Sequence, residues 1–387
     1  MSLQKKTCCG AVPKAAMLAV FRGFFCLRWV LGTEAYSDQK VQQPVDTNAE
    51  DAQKAALAAA TEEIMDTSGS LNKTVSGLAL PADVGAKGLL LLFHGCTHQA
   101  GDWTFLPEEQ KFLKVAQKEF QLGYLAFETP LGDMANWCWP SDPNGVKTVA
   151  DDVRAELALL KQKRPEYKQL IADKKVYCVG GSSGGNVIGL LGAEYPDLCT
   201  GGFAFYVSPG GLSDEKIASS AHLKERPVVW VYMGKDSSFA SLPRISRAKE
   251  AWCGKGDSDK DSLCKVMNIE PRPLSADEFV AISAEKGAKW FSELQDMEYL
   301  KPDGHAKRDP RSDPGWAGRF FSRPALKNQE KMRAKMAIEE LLNRAWASHE
   351  FAGDQAREVL THLVTPPPHP GGATDREEES NTSDGTL

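Results

Sequence analysis

Residues 176–186 read VYCVGGSSGGN, and this short stretch decides the fold. The apolar run KVYCV stops at Val179, and six small residues follow it, Gly180-Gly181-Ser182-Ser183-Gly184-Gly185. The residues after them carry a helical pattern. A strand that enters a G-x-S-x-G turn and leaves as a helix lifts a serine off the carboxyl end of a sheet. The glycines permit the tight turn and the close packing of helix on strand. Two registers fit. Because the strand ends at Val179, Ser182 is expected at the apex, with Ser183 as the alternative. The turn lacks the GxxxxGK[ST] lysine and the GxGxxG spacing of phosphate-binding loops.

Short apolar runs surround this turn at 88–95, 122–128, 175–180, 203–208, 227–234 and 297–300. Nearly continuous apolar runs of this length fit strands buried on both faces. Helical patterns separate them at 107–120, 149–163, 184–196 and 276–294. The alternation predicts an α/β fold, a mostly parallel sheet with helices on both faces. In such sheets the reactive groups gather beyond the carboxyl ends of the strands.

A serine hydroxyl is a weak nucleophile without a base, and the expected chain order is serine, then acid, then histidine. Asp236 follows the run 227–234 and is well placed to orient an imidazole. Asp214 and Glu215 lie before a helix, where Asp214 could simply cap it. His305 sits in a loop after a strand-like run and follows both Ser182 and Asp236. His349 and His362 fall in a C-terminal helical region, His369 in the tail and His222 before the acid's strand. The expected base is therefore His305, with Asp303 beside it as a turn former. Donors for a developing oxyanion are expected at the amides of Ser183 and of Cys96, which follows His94-Gly95 at the end of an early strand. His94 is expected to shape that loop. Trp103, Trp137 and Trp139 could line an acyl or aromatic pocket, or pack as ordinary core. Cys178 reads as a small core residue.

With these motifs in place, the sequence resembles the serine esterases of the α/β-hydrolase fold, and within them the polyhydroxybutyrate-depolymerase and feruloyl-esterase group. The matching stretches are LLFHGCTHQAGDW (91–103), NWCWP (136–140), ADDVRAELALL (150–160) and KVYCVGGSSGG (175–185). The resemblance implies hydrolysis of a small-molecule or polymeric ester through an acyl-serine, with no cofactor and no metal. It also implies that Cys96 and Cys138 lie near each other. One departure stands out: the aromatic-rich stretch that follows the family's histidine is replaced here by Ala306-Lys307-Arg308-Asp309. A hydrolase-like binding protein without activity, or a serine hydrolase acting on peptides or lipids, is the alternative.

The 387 residues divide unevenly around this centre. Residues 1–35 read as a leader. They hold five basic residues before any acid, and an apolar run broken by Arg22 and Arg28. Each arginine near mid-bilayer would cost about 2.5–3.5 kcal/mol, so no stable membrane span is expected in the mature protein. A secretory or endomembrane route is expected, with an organelle transit peptide as the alternative. Residues 36–74 form a spacer with a short helix. The catalytic domain is expected over 75–325, with 237–296 as a possible insertion or lid. Two helices occupy 326–364, and a disordered acidic tail spans 365–387. Asn72 and Asn381 begin glycosylation sequons. Cys253 and Cys264 could close a loop in an oxidising compartment. Asp257-x-Asp259-x-Asp261 imitates a calcium loop but lacks its glycine and final glutamate. Lys and Arg number 46 against 52 Asp and Glu, a net charge of −6. That excludes a nucleic-acid partner bound through overall charge.

Overall fold

The strands form because runs such as Leu89–Leu92 are apolar on both faces. In the computed structural model every residue of Gly88–Phe93 is buried. Fully burying one such leucine is worth roughly 1.5–3 kcal/mol, so a run of four fixes the centre of the sheet. The structure describes residues 75–79, 85–129, 137–237, 239–254, 263–313, 315–321 and 328–366. The leader, the spacer helix, both sequons, the aspartates at 257–261 and residues 367–387 of the tail lie outside these.

The strands are β1 (Val75–Ala79), β2 (Gly88–Phe93), β3 (Leu122–Phe127), β4 (Val176–Gly181), β5 (Gly202–Tyr206), β6 (Val228–Met233) and β7 (Cys264–Ile269). Among the described residues they make one sheet in the order β1-β3-β2-β4-β5-β6-β7. β1 pairs antiparallel with β3, and every other pairing is parallel. The helices that build the site are α1 (Pro107–Lys118), α2 (Pro143–Lys163) and, after a short α3 (Glu166–Ala172), α4 (Ser183–Glu194). α5 (Asp214–Ser219) and α6 (Leu242–Cys253) flank β6. After β7 come α7 (Ala276–Ile282), α8 (Gly287–Asp296), α9 (Trp316–Phe320), α10 (Asn328–Trp346) and α11 (Ala356–Val364).

Two sequence expectations are corrected. Residues 297–300 are not a strand: Leu300 makes only an isolated bridge to Ala306. The last strand is β7 instead, inside the segment read as an insertion. Its burial alternates irregularly because it lies at the sheet edge and keeps Lys265 and Asn268 toward solvent, so no continuous apolar run marks it. Cys178 is buried, but it is bonded to Cys199 rather than packed as a free thiol. Further disulfides join Cys96 to Cys138 and Cys253 to Cys264.

The sheet and its helices share one apolar core, which includes Phe351, Val359 and Leu363 near the chain's end. A second core gathers Leu274, Phe279, Trp290, Trp316, Ile338 and Leu341, all from residues beyond β7. Charged groups fasten it to α1. Glu108 is fully buried, and its carboxylate accepts from Lys111 Nζ at 2.7 Å, Arg272 Nη2 at 3.1 Å and Gly353 N–H at 2.9 Å. Arg272 also grips Glu278 with both terminal nitrogens, at 2.7 and 3.1 Å. Burial opposes ionisation of Glu278, yet the Arg272 hydrogen bond and charge outweigh it and hold the carboxyl down from 4.5 to about 2. A depressed carboxyl stabilises the fold above its ordinary pKa and loses that effect as pH falls through the folded value. Wild type should therefore melt above Glu278→Gln at pH 6, and the gap should close between pH 4.5 and 2. A pH series of thermal melts checks this.

Candidate functional site

The turn at β4–α4 is built by contacts that exclude any side chain but hydrogen. A Cβ on Gly184 would stand 2.2 Å from Phe93 O, one on Gly180 2.4 Å from the Gly184 carbonyl, and one on Gly185 2.4 Å from Ser208 Cβ. Ser182 sits at the apex with φ 50° and ψ −112°, a conformation that costs a non-glycine residue free energy. Its N–H donates to Tyr206 O at 2.8 Å, and its carbonyl accepts from Asn186 N–H at 3.1 Å. Ser183 is buried in the first helical turn, so Ser182 and not Ser183 presents its hydroxyl to the rest of the site.

An imidazole meets that hydroxyl, and it belongs to His349. Nε2 of His349 lies 2.9 Å from Ser182 Oγ. On its far side Nδ1 is hydrogen-bonded to Asp236 Oδ2. Asp236 follows β6, and its side chain is 1% exposed. The two loops are tied through backbone: Lys235 N–H donates to Ala347 O at 3.0 Å. Phe239 stands edge-on to the His349 ring. His305, the base expected from sequence, is elsewhere. It is 41% exposed and pairs with Asp303, its Nδ1 3.3 Å from Oδ1. Its loop only returns the chain to Tyr299 and Leu300 within the second core.

Sequence order alone could not choose His349, because α10 and α11 on either side made it look like part of a helical extension. One signal pointed there: Phe351 follows His349 closely, whereas the stretch 306–315 after His305 holds no aromatic. The ring of Phe351 stacks on Tyr206 at 3.9 Å, and edge-on against Trp103 at 5.1 Å.

With a seven-stranded, mostly parallel sheet, the serine turn after β4, the acid after β6 and a histidine beyond β7, the architecture is complete. The fold is that of the α/β hydrolases. Similar solved structures include esterase PE8, at 16% identity over 58% of this chain and 99% of that one, with a TM-score of 0.37. A Bacillus cereus carboxylesterase is 14% identical over 60% and 99%, with a TM-score of 0.36. Zea mays acyl-protein thioesterase 2 is 14% identical over 56% and 97%, with a TM-score of 0.34. No protein-family model and no curated protein sequence matches the chain.

The loop after β2 lies over the serine. A Cβ on Gly95 would come 3.7 Å from Ser182 Cβ, and the next residue, Cys96, is bonded to Cys138. His94 is buried beneath. Its Nδ1–H donates to Gly95 O at 2.7 Å, and its own carbonyl accepts from Trp139 Nε1 at 2.8 Å. Trp139 also packs edge-on to Phe93. Thus Trp139 supports this loop from the core. Trp137 is 37% exposed. Of the three tryptophans expected at a pocket, Trp103 alone is among the residues that line the cavity beside Ser182. That cavity has a volume of about 810 Å³. Trp103, Val207 and Phe351, which belong to the sheet's core, line it together with Trp316, Met332 and Met336 from the helices beyond β7. No helix among the described residues is long and apolar enough to cross a membrane.

The glycine contacts make a direct prediction. In Gly184→Ala the new methyl group would overlap the β2 backbone, which cannot rotate away, so the variant should lose about 3 kcal/mol or more of stability. Chemical denaturation of Gly184→Ala beside Gly101→Ala, whose Cβ meets nothing within 4 Å, checks it.

Proposed function

We propose that this protein is a serine hydrolase that cleaves carboxylic esters through an acyl-serine intermediate. The observation that carries the reading is the hydrogen-bonded chain from Asp236 through His349 to Ser182. In the first step His349 Nε2 takes the hydroxyl proton as Ser182 Oγ attacks the ester carbonyl. Asp236 holds the Nδ1–H tautomer and stabilises the imidazolium that forms. The carbonyl oxygen becomes an oxyanion. Its donors in this reading are the amides of Ser183 and Cys96. The first belongs to a helix N-terminus, whose early N–H groups lack intrahelical acceptors. The second lies on a loop anchored by the Cys96–Cys138 bond. One such donor is worth about 10²–10³ in rate. The imidazolium then returns its proton to the leaving alcohol, and water repeats the sequence to free Ser182.

The finer resemblance to the polyhydroxybutyrate-depolymerase and feruloyl-esterase group is supported by the bond joining the HGC loop to the Trp-Cys-Trp cluster. The three disulfides support an oxidising compartment, in keeping with residues 1–35 as a secretory leader. The helices beyond β7 are read as a cover over the cavity, since Trp316, Met332 and Met336 contribute to its lining.

Hydrolysis of p-nitrophenyl butyrate tests the reading. Ser182→Ala and His349→Ala should each lose about 10³-fold or more in kcat, while His305→Ala should stay within about twofold of wild type. An active His349→Ala enzyme would sink the assignment.

A further inference from the structure

An amide stabilises an oxyanion only if its N–H points at it. The N–H of Cys96 and the C=O of Gly95 belong to one planar trans unit and point in opposite directions. Whatever fixes the Gly95 carbonyl therefore aims the Cys96 N–H. Two donors converge on that carbonyl. His98 N–H reaches it at 3.3 Å and closes a four-residue turn, in which Thr97 takes φ 67°. His94 Nδ1 reaches it at 2.7 Å, the shorter contact of the two. A carbonyl oxygen only accepts, so Nδ1 of His94 carries a hydrogen. Among the described residues neither Cys96 N–H nor Ser183 N–H meets a backbone acceptor, which leaves both for a substrate oxygen.

His94 is itself held. Its ring is buried against Trp139, with the ring centroids 5.1 Å apart. Its other ring nitrogen, Nε2, faces a carboxylate. Glu128 Oε1 stands 3.4 Å away, within ion-pair reach though long for a hydrogen bond. Glu128 Oε2 accepts from Ala100 N–H at 2.9 Å. Glu128 is the first residue after β3, which lies next to β2 in the sheet. One carboxylate anchored to the sheet thus meets both the start of the loop, at His94, and its end, at Ala100. Turning the imidazole over would put ring carbons where Nδ1 and Nε2 now stand and would lose both contacts. The serine turn needs neither Glu128 nor His94 for its own packing, since its close contacts are to backbone and to Ser208.

We propose that Glu128 and His94 are positioning residues for the oxyanion donor at Cys96. Glu128 fixes the imidazole, the imidazole fixes the Gly95 carbonyl, and the carbonyl aims the Cys96 N–H at the charge that develops on the substrate. Both residues act through the peptide and neither exchanges a proton with the substrate; His349 alone does that. Their effect falls on the transition state, because the carbonyl oxygen gains its charge only there. The role in catalysis rests on the hydrolase reading, whereas the orientation of the Gly95–Cys96 peptide is observable without any turnover.

Kinetics of p-nitrophenyl butyrate hydrolysis by full-chain variants, with crystal structures of the same variants, test this. Phenylalanine keeps a ring against Trp139 but has no donor, whereas the asparagine amide nitrogen stands where Nδ1 stands. His94→Phe should lose about 30-fold or more in kcat with KM within about threefold, as befits a misaimed oxyanion donor. His94→Asn should recover to within about fivefold of wild type. Glu128→Ala should lose about tenfold in kcat. Glu128→Gln should lose less, since its amide oxygen still accepts from Ala100 N–H and its amide nitrogen donates to Nε2. In the crystals the Gly95–Cys96 peptide should turn in His94→Phe and keep its orientation in His94→Asn. Equal kcat losses in the two His94 variants, losses confined to KM, or an unturned peptide in His94→Phe overturn the proposal. Should His94→Phe fail to fold, Glu128→Ala decides it, because that side chain is 22% exposed: unchanged kcat with an unturned peptide overturns the pair. A wild type that leaves the ester intact, with the peptide turning in His94→Phe as expected, counts against the hydrolase reading and supports the positioning of the peptide.

Discussion

The contact between Asp236 and His349 is the constraint on which the rest of the site depends. A carboxylate as buried as Asp236 is costly unless it is paired and hydrogen-bonded, and the imidazole N–H supplies a partner. That bond fixes which nitrogen of His349 faces Ser182. It also joins residues 113 positions apart in the chain. The loop bearing His349 must therefore be held to the sheet from both sides. The Lys235–Ala347 backbone bond holds it beside the acid. Glu108 holds it from below through Gly353 N–H. A Cβ on Gly353 would stand 1.8 Å from Glu108 O, so the loop reaches α1 only because that residue is glycine. The long helical segment between β7 and His349 thus leaves the site geometry undisturbed, while its own core lends residues to the cavity.

The opposite side of the site is rigid for a different reason. β4 lies so close to α4 at Gly180, and α4 so close to the end of β2 at Gly184, that neither glycine admits a substituent. The unfavourable backbone angles of Ser182 persist because these contacts and the Tyr206 carbonyl over-determine them. One partner of the proposed catalytic chain is therefore set by local packing and the other by a long-range ion-pair network. The cavity lies between them.

This division explains what could be read from the sequence. The turn was legible because tight packing requires glycine at fixed spacings, and a serine among them has little other reason to be there. The central strands were legible because burial on both faces demands continuous apolar runs. β7 was not, since an edge strand needs only alternate burial, and 297–300 took its place because MEYL packs in a separate helical core. Asp236 could be placed from the end of β6. His349 could not, because its position follows from where α10 and α11 dock, and docking leaves no local pattern.

A crystal structure of the protein after reaction with a p-nitrophenyl alkylphosphonate tests the central claim most directly. Phosphorus is expected on Ser182 Oγ, with His349 Nε2 within hydrogen-bond distance of the adduct and the phosphoryl oxygen facing the amides of Ser183 and Cys96. An adduct on Ser183, or one on Ser182 with His349 turned away from it and from Asp236, would contradict the account.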